Sequence, residues 1–260
     1  NAQVGVYDTL QAAVNAATTG QTVKIAAGNY ALSSEVVISN AINIVGVNTD
    51  GDNATREVVI TNTSGSRNFV INSDVAGMVT INGLSIQGGT EAVSIDGSQG
   101  DTDVGGLTVT NSTFAGQQNA GLVIGLNNPD ASLGVLTVSG VVFDQSAASL
   151  SQNKDGQSAA GIMMFGFDGA ATISNVLVKG GATPTSASPW YGIHIQGAEN
   201  KQLDGTATND PTLEWAGDGP SLAGGAGGSI AMSNVVVEGG FAKSGIAVYN
   251  YSSIVGISGS

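Results

Sequence analysis

The chain has no cysteine in 260 residues, which removes the disulfide framework that small secreted domains depend on. Cations are scarce as well, and seven Lys and Arg against twenty Asp and Glu leave a net charge of -13. Phosphate backbones and anionic membrane surfaces are held by clustered basic residues, so neither nucleic acid nor such a surface is an expected partner. No apolar run reaches the roughly 20 residues of a membrane span, and membrane insertion is not expected. The first residues show no basic segment followed by an apolar one, so export would use a leader already removed or a C-terminal route. The chain also holds one histidine, His194, and two arginines, Arg56 and Arg67. That supply is thin for uronate elimination, which needs a Lys or Arg base and a cation. The lack of cysteine fits a cytosolic or a bacterial surface protein and the charge balance an extracellular one, so an extracellular or bacterial cell-surface location is expected.

What is present is glycine, 39 residues of it, and a repeat. Thr172 to Gly181 (TISNVLVKGG) is written again at Ala231 to Gly240 (AMSNVVVEGG), with looser copies starting at Thr80, Thr108 and Thr137. In each copy a Gly or Asn separates two short β-branched runs: Gly83, Asn111, Gly140, Asn175 and Asn234. Gly and Asn enter the left-handed backbone region most readily, so each marks a one-residue corner between two strands. Gly46 and Gly256 extend the series at either end. The uneven spacing leaves excess chain as loops: 48–57, 97–106, 126–133, 145–158, 181–189 and 197–228. The long 197–228 segment reads as an insertion within a single domain spanning 1–260, because repeats resume beyond it. Gly180-Gly181 and Gly239-Gly240 release the chain into such loops.

A second strand follows each corner: Ala92 to Ile95, Gly121 to Ile124, Gly161 to Met164, Gly192 to Ile195 and Gly245 to Val248. Strands alternate sides with period two. The aliphatic column (Val93, Leu122, Ile162, Ile193, Ile246, and then Ile95, Ile124, Met164, Ile195, Val248) faces inward. Ser94, Val123, Met163, His194 and Ala247 face outward, followed two residues later by Asp96, Gly125, Phe165, Gln196 and Tyr249. Stacking brings Met163, Phe165, His194, Gln196 and Tyr249 together, flanked by Trp190, Tyr191 and Tyr251. Exposed, this strip suits sugar rings, whose apolar faces lie on aromatic side chains. The plainer alternative is that it packs beneath the insertions at 145–158 and 197–228.

Residues 7–18 carry Leu10, Ala13, Val14 and Ala17 at helical spacing, with Asp8 or Thr9 as N-cap and Gly20 past the end. Such a helix would lid the open end of a solenoid. The order of a helix (LQAAVNAA, Leu10 to Ala17), a strand and turn (TVKIAAGNY, Thr22 to Tyr30) and a further strand (INIVG, Ile42 to Gly46) resembles right-handed parallel β-helix proteins of the pectate-lyase-like superfamily. The resemblance implies an all-β fold, a single-stranded right-handed parallel β-helix of roughly six to seven coils with a short N-terminal capping helix and loop insertions. It also implies that the outer face of the second repeated strand is where a polysaccharide would lie. No catalytic motif comes with it: the Asp-Asp pair, the His-Gly motif and the Arg-x-Lys triplet of the superfamily's hydrolases are absent.

The ionisable candidates near the strip are His194, Lys154, Asp155, Glu199 and Lys201. For a cation, Asp50 and Asp52 in one loop and Asp96, Asp101 and Asp103 in another resemble oxygen-rich calcium loops, so calcium is the one cofactor to test for. Asn175 and Asn234 are expected to stack as an amide ladder. Three functions compete. One is a non-catalytic structural or adhesive surface protein, such as an adhesin, surface-layer subunit or filament building block, whose partner is itself through the strand edge that Ser253 to Ser260 leaves open. The second is a polysaccharide lyase or glycoside hydrolase, and the third a carbohydrate-binding module on the same strip.

Overall fold

The computed structural model describes residues 5–48, 56–95, 102–125, 131–146, 159–167, 169–181, 191–197, 229–249 and 254–258. Among them are one short helix and 20 strands. The strands pair in parallel and fall into three ladders, visited in the same order each time the chain comes round. The first ladder holds Thr22–Ile25, Asn43–Gly46, Val75–Asn82, Thr102–Thr110, Ala131–Ser139, the first half of Ala170–Lys179, the first half of Ile230–Glu238, and Ile254–Ser258. The second holds Gly28–Leu32, Val58–Asn62, Leu84–Gly88, Thr113–Ala115, Val142–Asp144 and the second halves of those two long strands. The third holds Val36–Val37, Phe69–Ile71, Glu91–Ile95, Ala120–Ile124, Ala159–Phe167, Tyr191–Gly197 and Ser244–Tyr249. This recurrence is compatible with a parallel β-helix or a similar solenoid.

The corners lie where the repeat puts them, between the first and second ladders. Gly83, Asn111, Gly140, Asn175 and Asn234 all have positive φ, at 74°, 47°, 64°, 52° and 50°. One residue in the left-handed region redirects the strand without breaking its ladder, so Ala170–Lys179 and Ile230–Glu238 run through the corner unbroken. Asn234 Nδ2 donates to Asn175 Oδ1 at 2.8 Å and Asn111 Nδ2 donates to Asn82 Oδ1 at 3.1 Å, so an amide ladder does run along this exposed edge.

The ends of the series differ from expectation. Gly46 keeps a strand-like φ, because Val47 N–H donates to Ile25 O at 2.8 Å and carries the ladder past it. Its glycine serves close stacking instead: a Cβ there would run into the Gly83 carbonyl. Gly256 is not a corner either, since it pairs with Ala231, three residues short of the Asn234 register. Two loops are also shorter than the glycine content suggests. Strands begin at Thr102 and Ala131, inside the stretches 97–106 and 126–133, and Gly105 and Gly134 serve close backbone stacking there rather than turning. Gly181 and Gly240 form an antiparallel bridge, with Gly240 N–H donating to Gly181 O at 2.6 Å, so this Gly-Gly pair ties successive turns together before the chain departs.

The core is the inward column of all three ladders. It includes Phe114 and Phe143, packed edge to face at 5.4 Å between centroids. The glycines that open the third-ladder strands make room for it: a Cβ on Gly121 would strike the Phe143 ring, and one on Gly192 would lie 2.5 Å from Val237.

The helix is shorter than its sequence pattern, spanning Leu10–Ala16, with Thr9 as the N-cap that accepts from Ala12 N–H at 3.2 Å. Ala17 is already extended, and Asn40 Nδ2 donates to its carbonyl at 3.1 Å. Val14 is buried, as a lid residue should be. The lid also satisfies the strand edge beneath it. Gln11 Nε2 donates to Val37 O at 3.0 Å, and Val37 N–H donates to Gln11 Oε1 at 2.7 Å. One primary amide thus stands in for a neighbouring strand at the third ladder's first edge.

Removing that amide leaves two half-buried backbone groups without it, so Gln11→Ala is expected to lower the unfolding free energy by about 1–2 kcal/mol in urea titrations. Asn175→Val should cost about 1–2 kcal/mol through the left-handed backbone alone, whereas Asn175→Gly should be nearly neutral. Equal losses in the two variants would show that the side-chain ladder, not the corner, carries the stability.

Candidate functional site

The third ladder pairs in the register that strand alternation requires: Val123 with Met163, Met163 with His194, His194 with Ala247, and Phe165 with Gln196. The inward column, Val93, Leu122, Ile162 and Ile193 among its members, belongs to the main core. The outward column forms a second, separate apolar cluster of Val123, Met163, Phe165 and Ala247, joined by Ala120, Ala159 and Tyr191.

This outward strip is closed. Met163 and Phe165 are 0% exposed, His194 2% and Tyr191 5%. Val70 and Ser94 continue the column towards the N-terminus and are buried too. Strand parity decides on which side of the sheet a side chain lies; it does not decide whether that side meets water. The open aromatic groove anticipated at these four residues is therefore, in this structure, a packed layer.

His194 sits at its centre. Its ring meets Phe165 edge to face at 5.1 Å and lies tilted against Tyr191 at 4.4 Å, while Lys243 Nζ stands 6.0 Å from the Tyr191 ring centroid. Burial, aided by the Lys243 charge, pushes the imidazole pKa from 6.5 down to about 4. The ring is neutral at physiological pH, and its surroundings are those of a packing residue rather than of a solvated base. Lys243 and the extension to Val70 escape a sequence reading, although Val70 occupies the same alternating position in its strand as Ser94.

Nearer the N-terminus the same side turns polar. Glu91 is 4% exposed, and its carboxylate accepts from Thr90 Oγ1 and Asn119 Nδ2, each at 2.6 Å. Asn68 is buried beside it, donating to the carbonyls of Gly88 and Glu91 at 2.9 Å. The sequence signal for this group is a lone acidic residue opening the otherwise apolar-and-Ser strand Glu91 to Ile95.

Other expected site residues are dispersed or lie elsewhere. Gln196 and Tyr249 pair with each other in the backbone register. Lys154, Asp155, Trp190, Glu199, Lys201 and Tyr251 are outside the described residues, as are Asp50, Asp52, Asp96 and Asp101. Asp103 is exposed at the start of a first-ladder strand; its N–H donates to Asp74 Oδ1 at 3.0 Å, and its carboxylate accepts from Ser132 Oγ. Among the described residues no three acidic or histidine side chains converge on one point.

His194 is the single histidine, which makes its burial measurable. Its folded pKa lies below its unfolded value, so the unfolded chain takes up the proton first, and stability is full above about pH 6.5 and falls towards pH 4. Between about pH 7 and pH 5 the unfolding free energy is expected to drop by about 2 kcal/mol on this account. Denaturant titrations of His194→Leu should lose that slope; a slope identical to the parent protein's would mean that the ring is solvated. No protein-family model, curated protein or solved structure matches this chain.

Proposed function

We propose that this chain is a right-handed, single-stranded parallel β-helix of pectate-lyase-like architecture that serves as a non-catalytic structural or adhesive subunit outside the cell. Surface-layer, adhesin and filament proteins are the class it fits. The hand follows from the strong preference of parallel crossovers for right-handed connections, and roughly six to seven coils account for the three recurring ladders.

The observation that carries the functional reading is the closed outer strip. Phe165, Tyr191 and the lone histidine, which a sugar-binding or sugar-cleaving protein would present to its ligand, are spent on a second apolar layer. Such a layer thickens and stiffens a solenoid wall. The ladder itself supports assembly: Ile254–Ser258 lies parallel to Ile230–Ser233 one turn later, with a register shift after Ile230, and so adds a further strand to the edge of the first ladder. A strand of a second copy presents the same backbone pattern.

On this reading the purified protein associates end to end, giving rods that lengthen with concentration in light scattering and in electron micrographs. Monomers alone over a wide concentration range would sink the assembly reading. New reducing ends or unsaturated products from any uronate or neutral polysaccharide would replace it with an enzymatic one.

A further inference from the structure

The outward face of the first ladder, unlike that of the third, is open to solvent. Thr80, Thr108, Thr137 and Thr172 stand directly in register, one per strand, and all are partly or fully exposed. Two residues further along the same strands a second column carries Asn82, Thr110, Ser139, Ser174 and Ser233. These two columns form Thr-x-Thr, Thr-x-Ser and Thr-x-Asn units, flanked two residues earlier by Met78, Gly106, Val135 and Ala170. Neither column holds a charged or aromatic side chain between Thr80 and Ser233, in a chain with a net charge of -13. Within the array Thr108 Oγ1 donates to Met78 Sδ at 3.3 Å and Ser174 Oγ to Ser139 Oγ at 3.0 Å, so part of the array is already held in place by its neighbours.

We propose that this face binds ice, holding ordered water on a two-dimensional array of threonine and serine hydroxyls. Strand geometry spaces the hydroxyls about 4.8 Å apart between strands and about 6.7 Å apart along each strand. Ice repeats its oxygen lattice at a spacing close to the first of these. A ligand that meets every strand in the same way must itself repeat with the strand, and a water lattice does. The electrostatics agree, since two columns without a charged side chain face an uncharged solid. β-Branched threonine is stiff at χ1, so its hydroxyl and methyl are already fixed before the ligand arrives, and little entropy is lost on binding. A crystalline polysaccharide would instead be expected to lie on aromatic rings, and this face has none.

The inference stands on strand register alone and is independent of the assembly reading. Its test uses the full chain, fluorescently labelled, with a slowly grown ice crystal and with thermal hysteresis as readouts. The parent protein is expected to be incorporated into ice and to separate freezing from melting temperatures. Thr137→Lys and Thr172→Lys, each placing a charge within the array, should abolish both effects while retaining the parent's circular dichroism melt. Thr113→Lys, on the outward face of the second ladder, should leave both unchanged. The proposal is overturned if the parent is swept ahead of the growing ice without hysteresis, or if both array variants behave as the parent does. Sedimentation with crystalline cellulose or chitin that Thr137→Lys removes, without any ice incorporation, would overturn it in favour of a polysaccharide surface.

Discussion

The structure depends on one constraint: successive turns must keep their parallel backbone hydrogen bonds in register while the chain changes direction. Parallel ladders have evenly spaced bonds and no hairpin to close them, so register is held by whatever turns the chain between faces. Here a single residue with φ near 50–74° does that five times over. A one-residue corner adds no slack and shifts the inward positions by one residue in the same way at each turn, from Val79 and Ile81 to Leu84 and Ile86, and from Ala171 and Ile173 to Val176 and Val178. Longer corners would let each turn slip, and a slip of one residue would turn the core outward.

The same constraint explains where glycine is spent. Several other glycines mark places where one turn's backbone or side chains lie against the next: Gly46 on Gly83, Gly121 beneath Phe143, Gly192 beside Val237. It also explains the N-terminal lid. A parallel stack has a first strand with one unpaired edge, and Gln11 satisfies both groups of Val37 with one amide while Val14 covers the apolar interior.

The two outward faces show how one backbone pattern supports different surfaces. On the third ladder the outward column is Val70, Val123, Met163 and His194 and is sealed into a second layer. On the first ladder the two outward columns are threonine, serine and Asn82 and remain at least partly exposed. Both faces have the same repeat distance, because both are strands of the same turns. Chemistry alone separates a wall that packs from a surface that meets solvent.

Much of this was legible in the residues themselves. The five corners, the inward and outward columns of the third ladder, and the neighbours Met163 and His194 follow from local rules: few residue types tolerate positive φ, and strands alternate with period two. Gly46, Gly256 and the early strand starts at Thr102 and Ala131 depart from the turn pattern because glycine marks a turn and a close approach with the same letter. Only the tertiary structure decided that Met163, Phe165 and Tyr191 are buried, that His194 is held neutral between Phe165 and Tyr191, and that Gln11 reaches Val37. Periodicity assigns a side chain to a side of its own sheet, but burial depends on what else packs there, and that partner is distant in sequence.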